Sequence, residues 1–201
     1  LMGGNAFSQP VRFPGAAVGN VPAGPDIPAQ LYLPEGSGPF PTIVLVHSCA
    51  GVTDHLENWA KLLTGWGYLV LAPDSFGPRG MKQVCTNGAV TASERLPDIA
   101  GAIRFLAGRA DVKADRIGLI GQSHGASTVV RAVQKANDLG VLGVRAAVAY
   151  YPSCSDKSDR GVDVPLLILI GDKDDWTPAS KCRRLEAAGF AHPDLVEIVY
   201  Y

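Results

Sequence analysis

The sequence has no excess of charge of either sign. Lysine and arginine number 18 and aspartate and glutamate 19, which gives a formal net charge of −1 at pH 7. A protein that binds nucleic acid or an anionic membrane surface through its overall charge needs a basic surplus. We therefore expect no nucleic-acid partner.

Long apolar runs are also absent. The longest, residues 42–46 and 165–170, have the length of strands, whereas a membrane helix needs about 20 apolar residues. No membrane span is predicted. Residues 1–5 show neither a charged n-region nor an apolar h-region, so no signal peptide is visible, although a cleaved one is compatible with the sequence.

Cysteine is scarce, with four residues in the chain and no Cys-x-x-Cys pair. This spacing argues against a zinc site or a thioredoxin-like site. The even number permits two disulfides and an oxidising compartment, but four reduced cysteines fit the spacing equally well.

Strand and helix patterns alternate along the 201 residues. Continuous apolar runs predict buried strands, and apolar residues at helical spacing predict the helices between them. Such alternation favours an α/β fold with a doubly wound, mostly parallel sheet, in which ligands bind at the carboxyl ends of the strands. The predicted strands are 11–13, 30–33, 42–46, 68–72, 117–120, 146–150, 166–170 and 195–201, and the predicted helices are 56–66, 96–107, 126–133 and 178–188.

Residues 121–125, Gly-Gln-Ser-His-Gly, fit the pattern Gly-x-Ser-x-Gly between a predicted strand and a predicted helix. A nucleophile elbow requires this setting. The sharp turn raises the hydroxyl of Ser123 above the sheet, and the helix N-terminus favours developing negative charge. Ser123 is therefore the predicted nucleophile. The alternative is a glycine-rich turn in which Ser123 only caps the helix.

Three carboxylates follow the strand predicted at 166–170, in the segment 171–178, Gly-Asp-Lys-Asp-Asp-Trp-Thr-Pro. They lie at the carboxyl edge of the sheet, and an acid after the nucleophile fits the hydrolase order Ser, Asp, His. Spacing does not choose among Asp172, Asp174 and Asp175. An ordinary acidic loop that caps the next helix is the alternative.

No histidine of the four is a convincing base for the nucleophile. His192 precedes a strand and is expected at the opposite edge of the sheet. His124 should point away from the nucleophile, His47 belongs to the loop expected to bind the oxyanion, and His55 is expected at the surface. We expect the base beyond Tyr201, so that either the sequence is truncated or the protein is inactive.

The oxyanion hole usually takes one N–H group from the residue after the nucleophile and another from the loop after an early strand. Here those positions are His124 and the loop 47–51, His-Ser-Cys-Ala-Gly, which indicates Cys49 as the second donor. A turn without a catalytic role is the alternative for this loop.

Taken together, these segments resemble the dienelactone hydrolase family of the α/β-hydrolase fold, over residues 11–201. The matching pieces are 44–51, 74–80, 121–125 and 171–178. The last piece fits the family pattern Gly-x-x-Asp-x-x-x-Pro, which implies Asp174 as the acid. The resemblance also implies oxyanion N–H groups at Cys49 and His124.

The sequence departs from the family pattern in two ways. Members of the family carry the catalytic histidine in a loop after the last strand, and residues 1–201 contain no such loop. These residues are therefore expected to form one α/β-hydrolase domain, truncated before that histidine. The nucleophile here is serine, whereas the best-known members use cysteine, and this places the sequence in a serine-nucleophile branch.

The resemblance also bears on compartment. Relatives with segments like 74–80 and 151–154 are often exported, which implies pairing of Cys154 with Cys182 and of Cys49 with Cys85. A periplasmic or secreted location is therefore expected, with a cytoplasmic one as the alternative.

Two further side chains are candidate substrate-binding residues. Arg79, in the long loop 74–91, could hold a substrate carboxylate through its planar fork, or it could bridge loop carbonyls or Asp74. Trp176, beside the predicted acid, could line the pocket or pack in the core.

The sequence predicts a hydrolase of carboxylic esters or lactones that acts on a small-molecule substrate through an acyl-enzyme, with no metal or organic cofactor. The alternative is a non-catalytic binding protein that keeps a hydrolase pocket. A nucleotide-binding fold is disfavoured, because no Gly-x-Gly-x-x-Gly or P-loop pattern follows a strand. The sequence fixes neither the natural substrate nor the oligomeric state.

Overall fold

A computed structural model of the chain describes residues 7–137, 139, 142–154 and 160–201. The expectation about a signal peptide concerns residues 1–5, which lie outside the described residues.

One sheet of eight strands organises the described part of the chain. The strands are β1 Phe7–Pro14, β2 Asp26–Leu33, β3 Phe40–Val46, β4 Leu69–Pro73, β5 Val112–Gln122, β6 Val144–Tyr150, β7 Leu166–Ile170 and β8 Val196–Tyr200. Their order in the sheet is β1-β2-β4-β3-β5-β6-β7-β8. The pairs β1/β2 and β2/β4 are antiparallel, and the other five pairs are parallel.

Helices cover both faces of this sheet. They are α1 Asp54–Gly65, α2 Leu96–Ala107, α3 His124–Ala132 and α4 Ala179–Ala188. The helix α1 packs through Leu56, Ala60 and Leu63 against one face, while buried residues of α2, α3 and α4 belong to the cluster on the other face. The predicted α/β fold with a doubly wound, mostly parallel sheet is confirmed, and it has three layers. The strand β4 is buried along its whole length because both faces are covered.

The long loop 74–91 is tied to the loop after β3. A 3₁₀ turn, Gly77–Arg79, lies in it, and the N–H of Val84 donates to the carbonyl of Cys49 at 2.8 Å. A disulfide joins Cys49 to Cys85 across the same two loops.

A second disulfide joins Cys154, after β6, to the buried Cys182 of α4. Both cysteine pairings that the family resemblance implied are therefore present. Both bridges restrain segments at or near the carboxyl edge of the parallel strands, where the candidate site lies.

In the part of the chain that the structure describes, no helix has the length and apolar character of a membrane span.

Candidate active site

Ser123 occupies a strained turn between β5 and α3. Its backbone angles are φ 51° and ψ −115°, and it directly precedes the first residue of the helix. A non-glycine residue pays a conformational cost in this region, and such strain concentrates at functional sites. The turn is held by the N–H of Ser123, which donates to Tyr150 O at 2.9 Å, and by the N–H of Ser127, which donates to Ser123 O at 3.0 Å.

The glycines on either side of Ser123 leave room for backbone from neighbouring segments. A Cβ on Gly121 would overlap the carbonyl of Gly125, and a Cβ on Gly125 would overlap the carbonyls of Val46 and His47 at the end of β3. The spacing Gly-x-Ser-x-Gly therefore has a steric cause here, because the turn packs directly against the backbone of the central strand.

Gly125→Ala is expected to destabilise the fold by about 3 kcal/mol or more, since its Cβ would meet rigid backbone. The comparison variant is Gly65→Ala, at the end of α1, where no atom lies within 4 Å of the added Cβ. There a helical alanine should stabilise by about 0.5–1 kcal/mol. Urea denaturation of both variants measures the difference. Equal midpoints would show that the elbow tolerates a side chain.

A cleft of about 1030 Å³ opens beside Ser123. Its lining brings together predicted site residues from three segments: Cys49 after β3, Ser123 after β5 and Asp174 after β7. The strands β3, β5, β6 and β7 are parallel neighbours, so their carboxyl ends meet at one edge. Ser123 and Asp174 thus face one cavity although 51 positions separate them in the chain.

Of the three carboxylates in segment 171–178, Asp174 is the one that backbone N–H groups hold in place. Its Oδ1 accepts the N–H groups of Trp176 at 2.9 Å and Thr177 at 2.7 Å, and its Oδ2 accepts the Thr177 hydroxyl at 2.7 Å. Partial burial by itself would raise the pKa of Asp174, but these three hydrogen bonds outweigh it and leave the pKa below its usual value. Asp174 is therefore charged at neutral pH.

The two neighbouring carboxylates differ from Asp174. Asp172 forms an exposed ion pair with Arg183 at 2.6 Å, and Asp175 is exposed. The structure thus separates three residues that spacing could not, and the geometry favours Asp174 as the residue that would orient a base.

The predicted oxyanion donors lie on the two loops beside Ser123. Cys49 lines the cleft, and His124 is the first residue of α3. Among the described residues, neither N–H group takes part in a loop, turn or cap hydrogen bond. Both donors are consequently free for a developing oxyanion.

The side chain of His124 is fully engaged away from the cleft. Its Nδ1 pairs with the Arg95 guanidinium at 2.8 Å and its Nε2 with Val90 O at 2.9 Å. Because the guanidinium can only donate, Nδ1 is the acceptor and Nε2 carries the proton. Burial and the nearby Arg95 charge lower the pKa of His124 to about 4. His124 cannot take a proton from Ser123 in this arrangement.

The other three histidines are also unsuited to act as the base. His47 is completely buried, and its ring accepts the N–H of Ser75 at 3.1 Å and donates to Ser48 O at 2.8 Å. His55 is exposed on α1, and His192 precedes the amino end of β8, at the edge opposite the cleft.

The buried His47 and the partly buried His124 should make the fold sensitive to acid. Burial is the largest cause that holds the pKa of His47 well below its usual value, and the pKa of His124 is about 4. Below about pH 6.5 these two histidines become protonated in the unfolded chain but stay neutral in the folded one. The free energy of unfolding therefore falls as pH drops toward 4. Urea denaturation between pH 7 and pH 5 measures this loss.

His124→Gln should reduce that acid sensitivity, whereas His55→Gln, at an exposed position, should leave it unchanged. A free energy of unfolding that stays constant from pH 7 to pH 5 in the native protein would contradict the prediction.

Arg79 does not line the cleft. Its guanidinium donates to both carboxylate oxygens of Asp98, at 2.9 and 3.0 Å, and to the carbonyls of Ser75 and Glu94. The Asp98 side chain is completely buried and needs this partner. The structure thus gives Arg79 a bridging role within the fold, with Asp98 as the partner in place of Asp74, and engages both terminal nitrogens of its guanidinium.

Trp176 does line the cleft and is 77% exposed, so it is not a core residue. Tyr151 and Tyr201 also line the cleft, and motif reasoning missed both. Tyr151 has a positive φ of 46° directly after β6, so it lies at the same edge as Ser123. The rule that ligands meet the carboxyl ends of parallel strands was the available signal for Tyr151.

Within the described residues, no three His, Cys, Asp or Glu side chains cluster as a metal site requires.

The model of the dienelactone hydrolase family matches residues 27–201. The chain belongs to the dienelactone hydrolase family. The predicted recognition is therefore confirmed.

Two relatives of this chain are about a quarter identical to it in sequence. The protein named "Putative carboxymethylenebutenolidase" from Methylorubrum extorquens is 28% identical over an alignment of 196 positions, and the alignment covers 87% of this chain and 65% of that protein. The "Probable 2-oxo-3-(5-oxofuran-2-ylidene)propanoate lactonase" of Bradyrhizobium is 23% identical, with coverage of 86% and 75%. The chain thus spans just under two thirds of the first relative.

Solved structures share the fold. A crystal structure titled as a "Putative Dienelactone Hydrolase" from Klebsiella pneumoniae superposes with a TM-score of 0.77 at 21% identity, over 97% of this chain and 85% of that one. The Pyrococcus furiosus esterase Pf2001 gives a TM-score of 0.73 at 16% identity, over 97% and 80%. At these identities the likeness establishes the α/β-hydrolase fold.

Proposed function

We propose that this member of the dienelactone hydrolase family hydrolyses carboxylic esters or lactones through an acyl-enzyme on Ser123. The observation that carries the proposal is the cleft in which Ser123, Asp174 and Cys49 meet at the carboxyl edge of the sheet. The strained turn at Ser123 supports it, since that conformation projects a nucleophile out of the sheet.

In the proposed reaction, Ser123 Oγ attacks the substrate carbonyl and loses its proton to a base. The N–H groups of Cys49 and His124 stabilise the oxyanion of the tetrahedral intermediate, together with the N-terminus of α3. Collapse expels the alcohol, which takes the proton from the base and leaves an ester on Ser123. Water attacks that ester in the same way, and the acid is released.

The base is proposed to be a histidine from outside residues 1–201. The engagement or distant placement of His47, His55, His124 and His192 supports this proposal. Tyr201, directly after β8, is itself a lining residue, and its carbonyl accepts the N–H of Asp172 at 2.8 Å. A residue soon after Tyr201 would therefore start beside Asp174, the carboxylate proposed to orient it.

The cleft supports a substrate with an apolar acyl or aryl group. Trp176, Tyr151 and Tyr201 contribute aromatic surface, and the volume suits a small organic molecule. The names of the two relatives refer to a carboxymethylenebutenolide and to a lactone, which makes a cyclic ester a reasonable first substrate to test beside linear ones.

Labelling with a fluorophosphonate probe tests the proposal directly. The protein at its native length should form one covalent adduct, which peptide mass spectrometry should locate on Ser123, and should hydrolyse p-nitrophenyl acetate. An unlabelled protein without hydrolysis would overturn the proposal and favour the alternative, a binding protein that keeps a hydrolase pocket.

We further propose an oxidising compartment, periplasmic or extracellular. Two disulfides among the four cysteines support it, because such bonds persist mainly outside the reducing cytosol. Alkylated protein from its natural source should change mobility on reduction. Equal mobility with and without reductant would reject this location.

A further inference from the structure

A buried arginine lies behind the two loops of the proposed oxyanion hole. Arg95 ends the 3₁₀ turn Ser93–Arg95 before α2, and it is completely buried. The two oxygens of the nearby Asp98 carboxylate accept from Arg79 and not from Arg95. Among the described residues, Arg95 therefore has no carboxylate as a hydrogen-bond partner.

The two terminal nitrogens of Arg95 reach different loops. One donates to His124 Nδ1 at 2.8 Å, and the other donates to the carbonyl of His47 at 3.0 Å. The guanidinium also packs over the ring of Phe76, with its central carbon 5.0 Å from the centre of the ring. Guanidinium is planar and rigid, so these two contacts hold a nearly fixed distance from each other.

Both acceptors belong to the segments that carry the proposed oxyanion donors. His124 itself carries one of the N–H groups. His47 lies two residues before Cys49, and its ring fixes the intervening residue through a hydrogen bond to Ser48 O at 2.8 Å. One guanidinium thus connects the start of α3 to the loop after β3.

We propose that Arg95 is a positioning residue that sets the spacing between the N–H groups of Cys49 and His124. The inference rests on the proposed function, since it assigns a role within that same site. Arg95 touches no reacting atom and acts through the two loops that it joins.

The cost of burying Arg95 supports this role. Burial lowers the pKa of Arg95 to about 9, and its Nε has no hydrogen-bond partner among the described atoms. An apolar side chain of similar volume fills such a position at no cost for burying charge. Lysine would keep the charge, but a point-like ammonium lacks the planar fork that spans two acceptors.

Arg95→Met and Arg95→Lys test the proposal in the protein at its native length. With p-nitrophenyl acetate, Arg95→Met should lower kcat about 100-fold, the scale of losing an oxyanion donor, with KM changed by no more than about threefold. The Ki of an alkyl trifluoromethyl ketone, whose adduct carries an oxyanion, should rise by a similar factor. Arg95→Lys should recover less than about a tenth of the native kcat, because it cannot hold both loops.

The matched control is Arg131→Met. Arg131 also links α3 to the same 3₁₀ turn, through Ser93 Oγ at 3.2 Å, but it contacts neither oxyanion loop. Its kcat and ketone Ki should stay at native values. Assays are made below the melting temperature of each variant, and if Arg95→Met does not fold, Arg95→Lys carries the test.

The outcomes separate the two proposals. If the native protein hydrolyses the ester and Ser123→Ala does not, but an Arg95 variant keeps the native kcat and ketone Ki, the role of Arg95 is overturned and the proposed function stands. A loss of kcat without a parallel rise in Ki would also overturn it. A native protein without turnover at Ser123 would overturn the proposed function and this inference together.

Discussion

Replacing Ser123 by alanine is expected to lower kcat for p-nitrophenyl acetate by about 10⁴- to 10⁶-fold. The hydroxyl is the proposed nucleophile, so no acyl-enzyme can form without it, while the oxyanion donors and the cleft stay in place. KM should change little, because alanine leaves the volume of the cleft almost unaltered. Initial rates at several substrate concentrations, in the protein at its native length, measure both constants.

Ser127→Ala is the matched control for this variant. Ser127 lies one helical turn further along α3. Its hydroxyl pairs with Ser153 Oγ at 2.9 Å and lies 3.4 Å from Ser123 O, and neither Ser127 nor Ser153 lines the cleft. Its kcat should remain close to native. Retained turnover in Ser123→Ala, or an equal loss in Ser127→Ala, would remove Ser123 from the proposed role.

The backbone conformation of Ser123 costs free energy for any residue other than glycine. Alanine retains the cost of a positive φ, whereas glycine adopts that region freely. The strain is therefore a cost of placing a side chain at this turn, and it fits a site selected for the projection of a hydroxyl.

Periodicity predicted the sheet well where strands are buried on both faces. The run 42–46 and the run 166–170 contain nothing but apolar residues and threonine, and both became parallel strands. Prediction was weaker for β1 and β5, which extend beyond the predicted ranges 11–13 and 117–120. The segments 7–10 and 112–116 at their starts mix apolar with polar residues, so no continuous apolar run marks them.

The candidate site was predictable where the backbone geometry requires particular residue types. Two glycines around Ser123 mark a turn that packs on β3, and the sequence carries that constraint directly. The choice among three aspartates was different, because it depends on which carboxylate the loop folds around. Backbone N–H groups decide this. Because every residue except proline carries such a group, residue types do not reveal which carboxylate will accept them.

The partners of the arginines were also beyond the sequence. Of Arg79 and Arg95, the sequence indicates only Arg79 as a candidate for substrate binding. In the fold, Asp98 on α2 takes the fork of Arg79, while Arg95 turns inward to His47 and His124. Contacts between side chains so distant in the chain depend on how α2 packs against the sheet.

Asp174→Asn is expected to lower kcat by about 10⁴-fold with KM nearly unchanged. Asparagine keeps an oxygen for the N–H groups of Trp176 and Thr177, and the Thr177 hydroxyl can rotate to accept from the new amide, so the loop should keep its shape. The charge that would orient and stabilise the protonated base is lost. Steady-state kinetics with p-nitrophenyl acetate measure this loss, and urea denaturation checks that stability is retained.

The neighbouring aspartates provide the controls, since they share the loop and the charge of Asp174. Both line the cleft, but Asp172→Asn breaks an exposed ion pair with Arg183 and Asp175→Asn alters an exposed side chain. Exposed pairs contribute about 0–1 kcal/mol, so both variants should remain folded and keep kcat within a few-fold of native. If Asp172→Asn or Asp175→Asn lost as much activity as Asp174→Asn, the effect would follow the negative potential of the whole loop. The specific geometry at Asp174 would then not be the cause.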